Sequence, residues 1–212
     1  MRVSQLKKIS LSLSVLVIFS INVYSQDIQT GVNTYNSGNH DKALEILLPF
    51  ARQGSQDKRV YWVLFMIYSK KGNLQETAKY GVEFLKYGSE YALTYKLTET
   101  FYALKQYDKV IRVAQYSNVK FGDKHEIYNL MGMAYFYTNR LDLAEVAVRM
   151  ANTLSPDNYL YRYHYGLVMV KKGDFHAANR QLARCGSLNP QVAPGVAALA
   201  RVRQRLAGTG NR

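Results

Sequence analysis

The sequence predicts an all-α fold of stacked helix pairs, and three observations carry that prediction. A unit of about 34 residues recurs along the chain, and apolar residues inside each unit follow helical spacing. Cys185 is the single cysteine, so no internal disulfide can form and stability must come from buried apolar surface.

The repeat is seen by aligning Gly38, Gly72, Lys105, Asn139 and Gly173, which are separated by 34, 33, 34 and 34 residues. Two residues after each of them stands His40, Leu74, Tyr107, Leu141 or Phe175. Five units fill Gln26 to about Pro190, with bounds near 26–57, 58–90, 91–123, 124–157 and 158–190. Each reads as two helices. In the fourth unit Tyr128, Met131, Tyr135 and Phe136 share one helical face, and Leu141, Ala144, Val148 and Ala151 share another. The joining segments (NSGNHD, KKGNLQ, LKQYDK, YTNRLD and KKGDFH) are short and polar, as an antiparallel turn requires. In three of them a glycine can take the left-handed conformation that ends a helix. Beyond Pro190, residues 191–212 form a capping helix and tail: Pro194 stands near its start, Val196, Leu199, Val202 and Leu206 lie along one side, and it stops near Gly208. Eleven helices are expected in all, with no strand and with turns near residues 39, 73, 106, 140 and 174.

The fourth and fifth units carry a family resemblance. YNLMGMAYFYTNRLDLAEVAVRMANTLSP supplies Tyr128, Met131, Gly132, Tyr135, Ala144, Ala151 and Pro156. YGLVMVKKGDFHAANRQLARCGSLNP supplies Gly166, Gly173, Phe175, Ala178 and Pro190, with Cys185 at a place where a small residue is usual. In these features the chain resembles the tetratricopeptide repeat (TPR) proteins over nearly all of residues 26–190. The resemblance implies a right-handed α-solenoid of about five helix pairs plus the capping helix, in which Gly132 and Gly166 let the second helix approach the small faces of Ala144 and Ala178. Phe65, Thr77, Thr98 and Val110 depart from the pattern, being larger than usual at close-packing positions, and Thr34 stands where a large residue is expected.

In this family the first helix of each pair lines the concave surface. By register that surface takes Ile28, Val32 and Tyr35; Trp62, Met66 and Ser69; Tyr95, Glu99 and Tyr102; Asn129, Met133 and Phe136; and Tyr163, Leu167 and Val170. The candidate partner-binding residues are Val32, Tyr35, Trp62, Met66, Tyr95, Tyr102, Met133, Phe136, Tyr163 and Leu167. An exposed apolar and aromatic groove is the usual mark of a polypeptide site. The alternative is that these side chains touch one another across a tight superhelix. The Lys and Asn clamp with which some family members grip a C-terminal carboxylate is missing, since Ile28, Val32 and Val63 occupy its places and only Lys96 remains.

Catalysis, metal and cofactor find no support in the sequence. His40, His125, His164 and His176 are scattered, only His164 nears the groove, and no metal-ligand spacing is present. Cys185 reads as a core residue, and Glu99 is the only acid that the register turns toward the groove, where paired acid–base chemistry would need two.

Residues 1–25 read as a signal peptide: Arg2, Lys7 and Lys8 precede an uncharged apolar run from Ile9 to Val23, with a cut expected after Ser25. An uncleaved anchor in the inner membrane is the alternative, and either puts the repeats outside the cytoplasm, in the periplasm or secreted. Cleavage would leave 25 basic and 15 acidic side chains, a net charge of +10 against +13 for the whole chain. The sequence thus predicts an exported scaffold, not an enzyme, that binds a protein segment in assembly of an envelope machine such as a pilus, secretion or outer-membrane complex. The second expectation is a basic binder of anionic envelope glycan or lipid headgroups, with Arg201, Arg203 and Arg205 on the cap; nucleic acid is not an expected partner.

Overall fold

The computed structural model describes residues 26–190 and 193–209, and 83% of the described residues are helical. The helices are α1 (26–36), α2 (His40–Arg52), α3 (Lys58–Lys70), α4 (Leu74–Tyr87), α5 (Tyr91–Ala103), α6 (Tyr107–Phe121), α7 (His125–Tyr137), α8 (Leu141–Leu154), α9 (Tyr159–Lys172), α10 (Phe175–Leu188) and α11 (Ala193–Thr209). Among the described residues there is no strand, and the helices end and restart where the 34-residue alignment sets its turns. The expected signal peptide lies outside the described residues. The chain divides after Ser89 into two compact units, the first holding α1 to α4 and the second α5 to α11.

The repeat is anchored by one turn geometry used five times. Gly38, Gly72 and Gly173 have φ of 87°, 70° and 85°, and the aligned Lys105 and Asn139 adopt the same left-handed region at 56° and 61°. The sequence assigns this conformation only to the glycines; the structure extends it to all five positions. The next residue in each case sends its N–H back five residues, as in Asn39 to Thr34 O (3.1 Å), Asn73 to Tyr68 O (3.0 Å), Gln106 to Phe101 O (2.9 Å), Arg140 to Tyr135 O (2.9 Å) and Asp174 to Met169 O (3.0 Å). That is the Schellman closure, which satisfies carbonyls orphaned at the helix end. The same residue then starts the second helix: the side chains of Asn39, Asn73 and Asp174 accept from the N–H groups of Lys42, Glu76 and Ala177. Gln106 and Arg140 make no such cap. The third and fourth turns therefore carry both the strained left-handed residue and the missing cap.

Helix pairing depends on small residues. A Cβ on Gly132 would lie 2.6 Å from Val148 Cγ1 and 3.1 Å from the Val148 nitrogen. One on Gly166 would lie 2.6 Å from Leu182, and one on Gly31 would lie 2.5 Å from Leu47. The glycines thus receive a branched side chain from the second helix, at Gly132 together with the Cβ of Ala147 at 3.3 Å, while Ala144 and Ala178 are fully buried in the same pairs. The departures in the second and third units follow the same volume rule. Phe65 is buried at the Gly132 position, and the register sets the buried Gly81 of α4 opposite it, at the Val148 position. Thr98 is matched in the same way with Ala114, and its hydroxyl bonds to Thr94 O at 2.8 Å, so that this hydroxyl is not left unpaired by its burial.

Within the second unit the backbones of the first helices α5, α7 and α9 and of the cap α11 approach one another in order, whereas those of α6, α8 and α10 do not. The first helices therefore form the inner layer of that unit, and side chains on their free faces are crowded together. Surface ion pairs tie successive turns, Arg140 to Asp108 at 2.8 Å and Lys172 to Asp142 at 2.7 Å, with Lys71 to Asp41 at 2.6 Å as the counterpart in the first unit. All involve exposed carboxylates and contribute little to stability.

Two substitutions test this account. Lys105→Gly relieves the left-handed strain and is expected to stabilise the fold by roughly 0.5 to 1 kcal/mol in urea denaturation, with a smaller gain for Asn139→Gly because asparagine tolerates that conformation better. Gly132→Leu forces a side chain into Val148 and is expected to cost about 1 to 3 kcal/mol or more. An unchanged denaturation midpoint would contradict the pairing described for α7 and α8.

Candidate binding site on the first helices

The candidate residues fall into separate clusters. In the first unit Val32, Tyr35, Trp62 and Met66 are all half-buried. Tyr35 meets Trp62 edge-on with ring centres 5.6 Å apart and stacks on His40 at 5.3 Å. Ile28, which the register turns inward, is instead a core residue with 1% exposure, because its face of α1 is the one that packs into the unit.

In the second unit Tyr95, Tyr102 and Met133 line one cavity of 330 Å³. Glu99, Asn129 and His164 line it as well, and so do Glu126, Leu130, Asn158, Leu160 and Tyr161. Met133 is 3% exposed and forms wall, not a free anchor. Tyr95 and Tyr102 are half-buried; Tyr95 stacks on Tyr91 at 6.3 Å, and Tyr102 meets Tyr107 and Tyr137 edge-on at 5.9 and 6.2 Å. Phe136 lies beside this group with Lys171 above it, Nζ being 4.5 Å from the ring centre and donating to Phe136 O at 2.8 Å. Tyr163 is half-buried and borders neither cavity. Leu167 lines a second cavity, of 350 Å³, with Val170, Phe175, Ala198, Val202 and the exposed Arg201 and Arg205, the last lying over the Phe175 ring at 5.3 Å.

The first cavity has more chemistry than the sequence suggests. Glu99 is not the only acid on this face, since Glu126 lines the same wall one turn earlier in α7. Its carboxylate stands on the register Glu126, Asn129 or Leu130, Met133, and extending the inward series by one turn toward the N-terminus would have found it. The same extension in α9 reaches Leu160, whereas Tyr161 aligns with the core residue Ile127 and lies off the inward series. His164 is held by a bond between its Nδ1 and Asn129 Oδ1 at 2.7 Å. Burial pulls its pKa down from 6.5 to about 4, so the ring is neutral at pH 7. Burial pushes the hydroxyls of Tyr95 and Tyr161 up to about 12, reinforced by the negative charge of Glu99 and Glu126 at Tyr95 and of Glu126 at Tyr161. Among the described residues no cluster of His, Cys, Asp and Glu could hold a metal ion. Cys185 is buried with its thiol pKa raised by burial, as suits a packing residue.

Comparison with solved structures gives the class. No protein-family model matches the sequence, and no curated protein is significantly similar to it. The structure is similar to YrrB, described as a TPR protein with an unusual peptide-binding site, with a TM-score of 0.71 and 18% identity over 81% of this chain and 89% of that one. It is similar to MamA from Desulfovibrio magneticus RS-1 (TM-score 0.64, 20% identity, 80% and 96% covered) and to TTC0263, a thermophilic TPR protein in Thermus thermophilus (0.56, 17%, 85% and 98%). The chain thus has the tetratricopeptide-repeat fold, an all-α solenoid class built from helix pairs.

His164 makes the site's packing measurable. Between pH 6.5 and about 4 the unfolded chain takes up a proton that the folded chain refuses. The contribution is therefore fully present above pH 6.5 and is lost as pH falls toward 4. In urea denaturation at pH 7 and pH 5, His164→Gln, which can still bond Asn129, is expected to remove roughly 1 to 3 kcal/mol of the wild type's acid-side loss. Equal pH slopes for the two proteins would show that His164 is solvated.

Proposed function

We propose that this chain is an exported tetratricopeptide scaffold that binds a protein segment on its first helices during assembly of a cell-envelope machine. The observation that carries the reading is the cavity of the second unit, where aromatic and polar side chains of α5, α7 and α9 converge on the inner helix layer. Aromatic rings in a preformed concavity supply contact area at low entropy cost, which is how helical-repeat proteins hold extended or helical segments. A peptide-binding site in the similar YrrB fold is consistent with this use. Export rests on Arg2, Lys7 and Lys8 ahead of the apolar run to Val23. Among the described residues no helix is long and apolar enough to cross a membrane.

A second reading, binding of anionic glycan or lipid headgroups, is favoured by Arg201 and Arg205 at the mouth of the 350 Å³ cavity. One experiment separates the two. A photo-crosslinking residue is placed at 102 on the inner face, at 198 beside the cap cavity, or at 119, where Val119 on α6 is 90% exposed. A polypeptide captured at 102 and not at 119, by a chain recovered from the envelope fraction and beginning at Gln26, is the expected result. Capture of lipid or glycan at 198 alone would select the second reading, and equal capture at 119 would remove the inner face from consideration.

A further inference from the structure

The cavity formed by α5, α7 and α9 has a charge opposite to that of the chain. On a protein of net charge +13, its lining brings together two carboxylates and no cationic residue. His164, the histidine in the lining, is kept neutral by burial. Lys96 reaches Glu99 only at 3.4 Å along the exposed side of α5, a contact that solvent screens strongly. Oε2 of Glu126 is shielded from solvent and receives no well-formed hydrogen bond. Its neighbours are the Tyr91 hydroxyl, which leans on the Glu126 carboxylate without good hydrogen-bond geometry, and His125 Nδ1, which is 3.1 Å away but shared with the Tyr161 hydroxyl at 2.8 Å. The rings of Tyr95, Tyr102 and Tyr161 complete the wall.

Partly buried carboxylate, as at Glu126 and Glu99, together with aromatic surface is an arrangement that stabilises an organic cation, through charge-assisted hydrogen bonds to the acid and attraction to the ring faces. The same cavity repels a carboxylate or phosphate. We propose that it receives a cationic side chain, the guanidinium of an arginine or the ammonium of a lysine, from the bound polypeptide. The proposal rests on the segment-binding reading above and assigns the class of residue that the segment must carry. Glu126 and Glu99 accept the donors, the tyrosines face the cation, and the bond between His164 and Asn129 keeps the neighbouring polar groups occupied with each other.

The test selects a random decapeptide library displayed on phage against the full chain. The best binder is then remade with each arginine replaced by citrulline or each lysine by acetyl-lysine, which preserves shape and removes charge. Each version is titrated against the wild type and against Glu126→Gln, Glu99→Gln and Tyr102→Ala, whose folding is checked by circular dichroism. The expected result is enrichment of arginine or lysine and a loss of about tenfold or more in affinity on neutralising either the peptide cation or Glu126, without further loss when both are neutralised. Whether citrulline or acetyl-lysine has the effect tells guanidinium from ammonium. Peptides that lack a cation, or that are weakened by Tyr102→Ala but indifferent to both glutamine variants, would overturn the proposal and leave the segment-binding reading standing. Failure to select any peptide, or binding indifferent to Tyr102→Ala, would overturn that reading and the proposal with it.

Discussion

Each helix pair in this molecule must bring two helices together at one point where a single side chain fits, and much of the architecture follows from how that volume is shared. Gly31, Gly132 and Gly166 yield the space to Leu47, Val148 and Leu182. A large side chain on both helices would hold their axes apart, because close-packed interiors do not absorb extra volume without displacement. In the second pair the assignment is reversed, Phe65 on the first helix and Gly81 on the second, and in the third it is shared between Thr98 and Ala114. The constraint is on the sum and not on the residue, and this is why the repeat survives where the family pattern does not.

The turns obey a comparable rule. The left-handed residue and the bond back five positions fix where the second helix begins, and glycine serves this purpose without steric cost. Lys105 and Asn139 adopt the conformation because the packing of both flanking helices over-determines it, so local preference is overridden by tertiary structure. The penalty falls on the third and fourth turns, which also lack a capping side chain, and these turns belong to the unit that holds the aromatic cavity.

Most of the fold was legible because it depends on periodicities that single residues cannot disturb. The interval between Gly38, Gly72, Lys105, Asn139 and Gly173 located the five turns within the helix pairs. The function of Gly132 was legible too, but the close approach of the branched Val148 to it was not, because the family pattern names only the small residues of the contact. The inward series taken from mid-helix residues is apolar and aromatic, and it leaves out Glu126 in the first turn of α7 and Tyr161, which aligns with the core residue Ile127. A helix terminus is difficult to assign to a face from sequence, since its first residues can belong to the loop or to the helix. Burial was beyond that register as well: Ile28 and Met133 occupy inward positions and are nearly closed to solvent.

The polar groups of the cavity explain how a site of one sign can exist inside a basic chain. Buried polar atoms destabilise a fold unless they find partners, and Asn129 and His164 find each other across two helices. Because His164 then stays uncharged, its bond neutralises nothing, and the carboxylates of Glu99 and Glu126 set the potential of the lining. A cation entering there loses water but gains fixed acceptors and ring faces, while an anion loses its water and gains only repulsion. The net charge of the molecule acts over distances that salt screens within about 8 Å, whereas the cavity acts at contact. Long-range attraction of anions to the surface and short-range selection of a cation are therefore compatible, and the second decides which side chain can be seated.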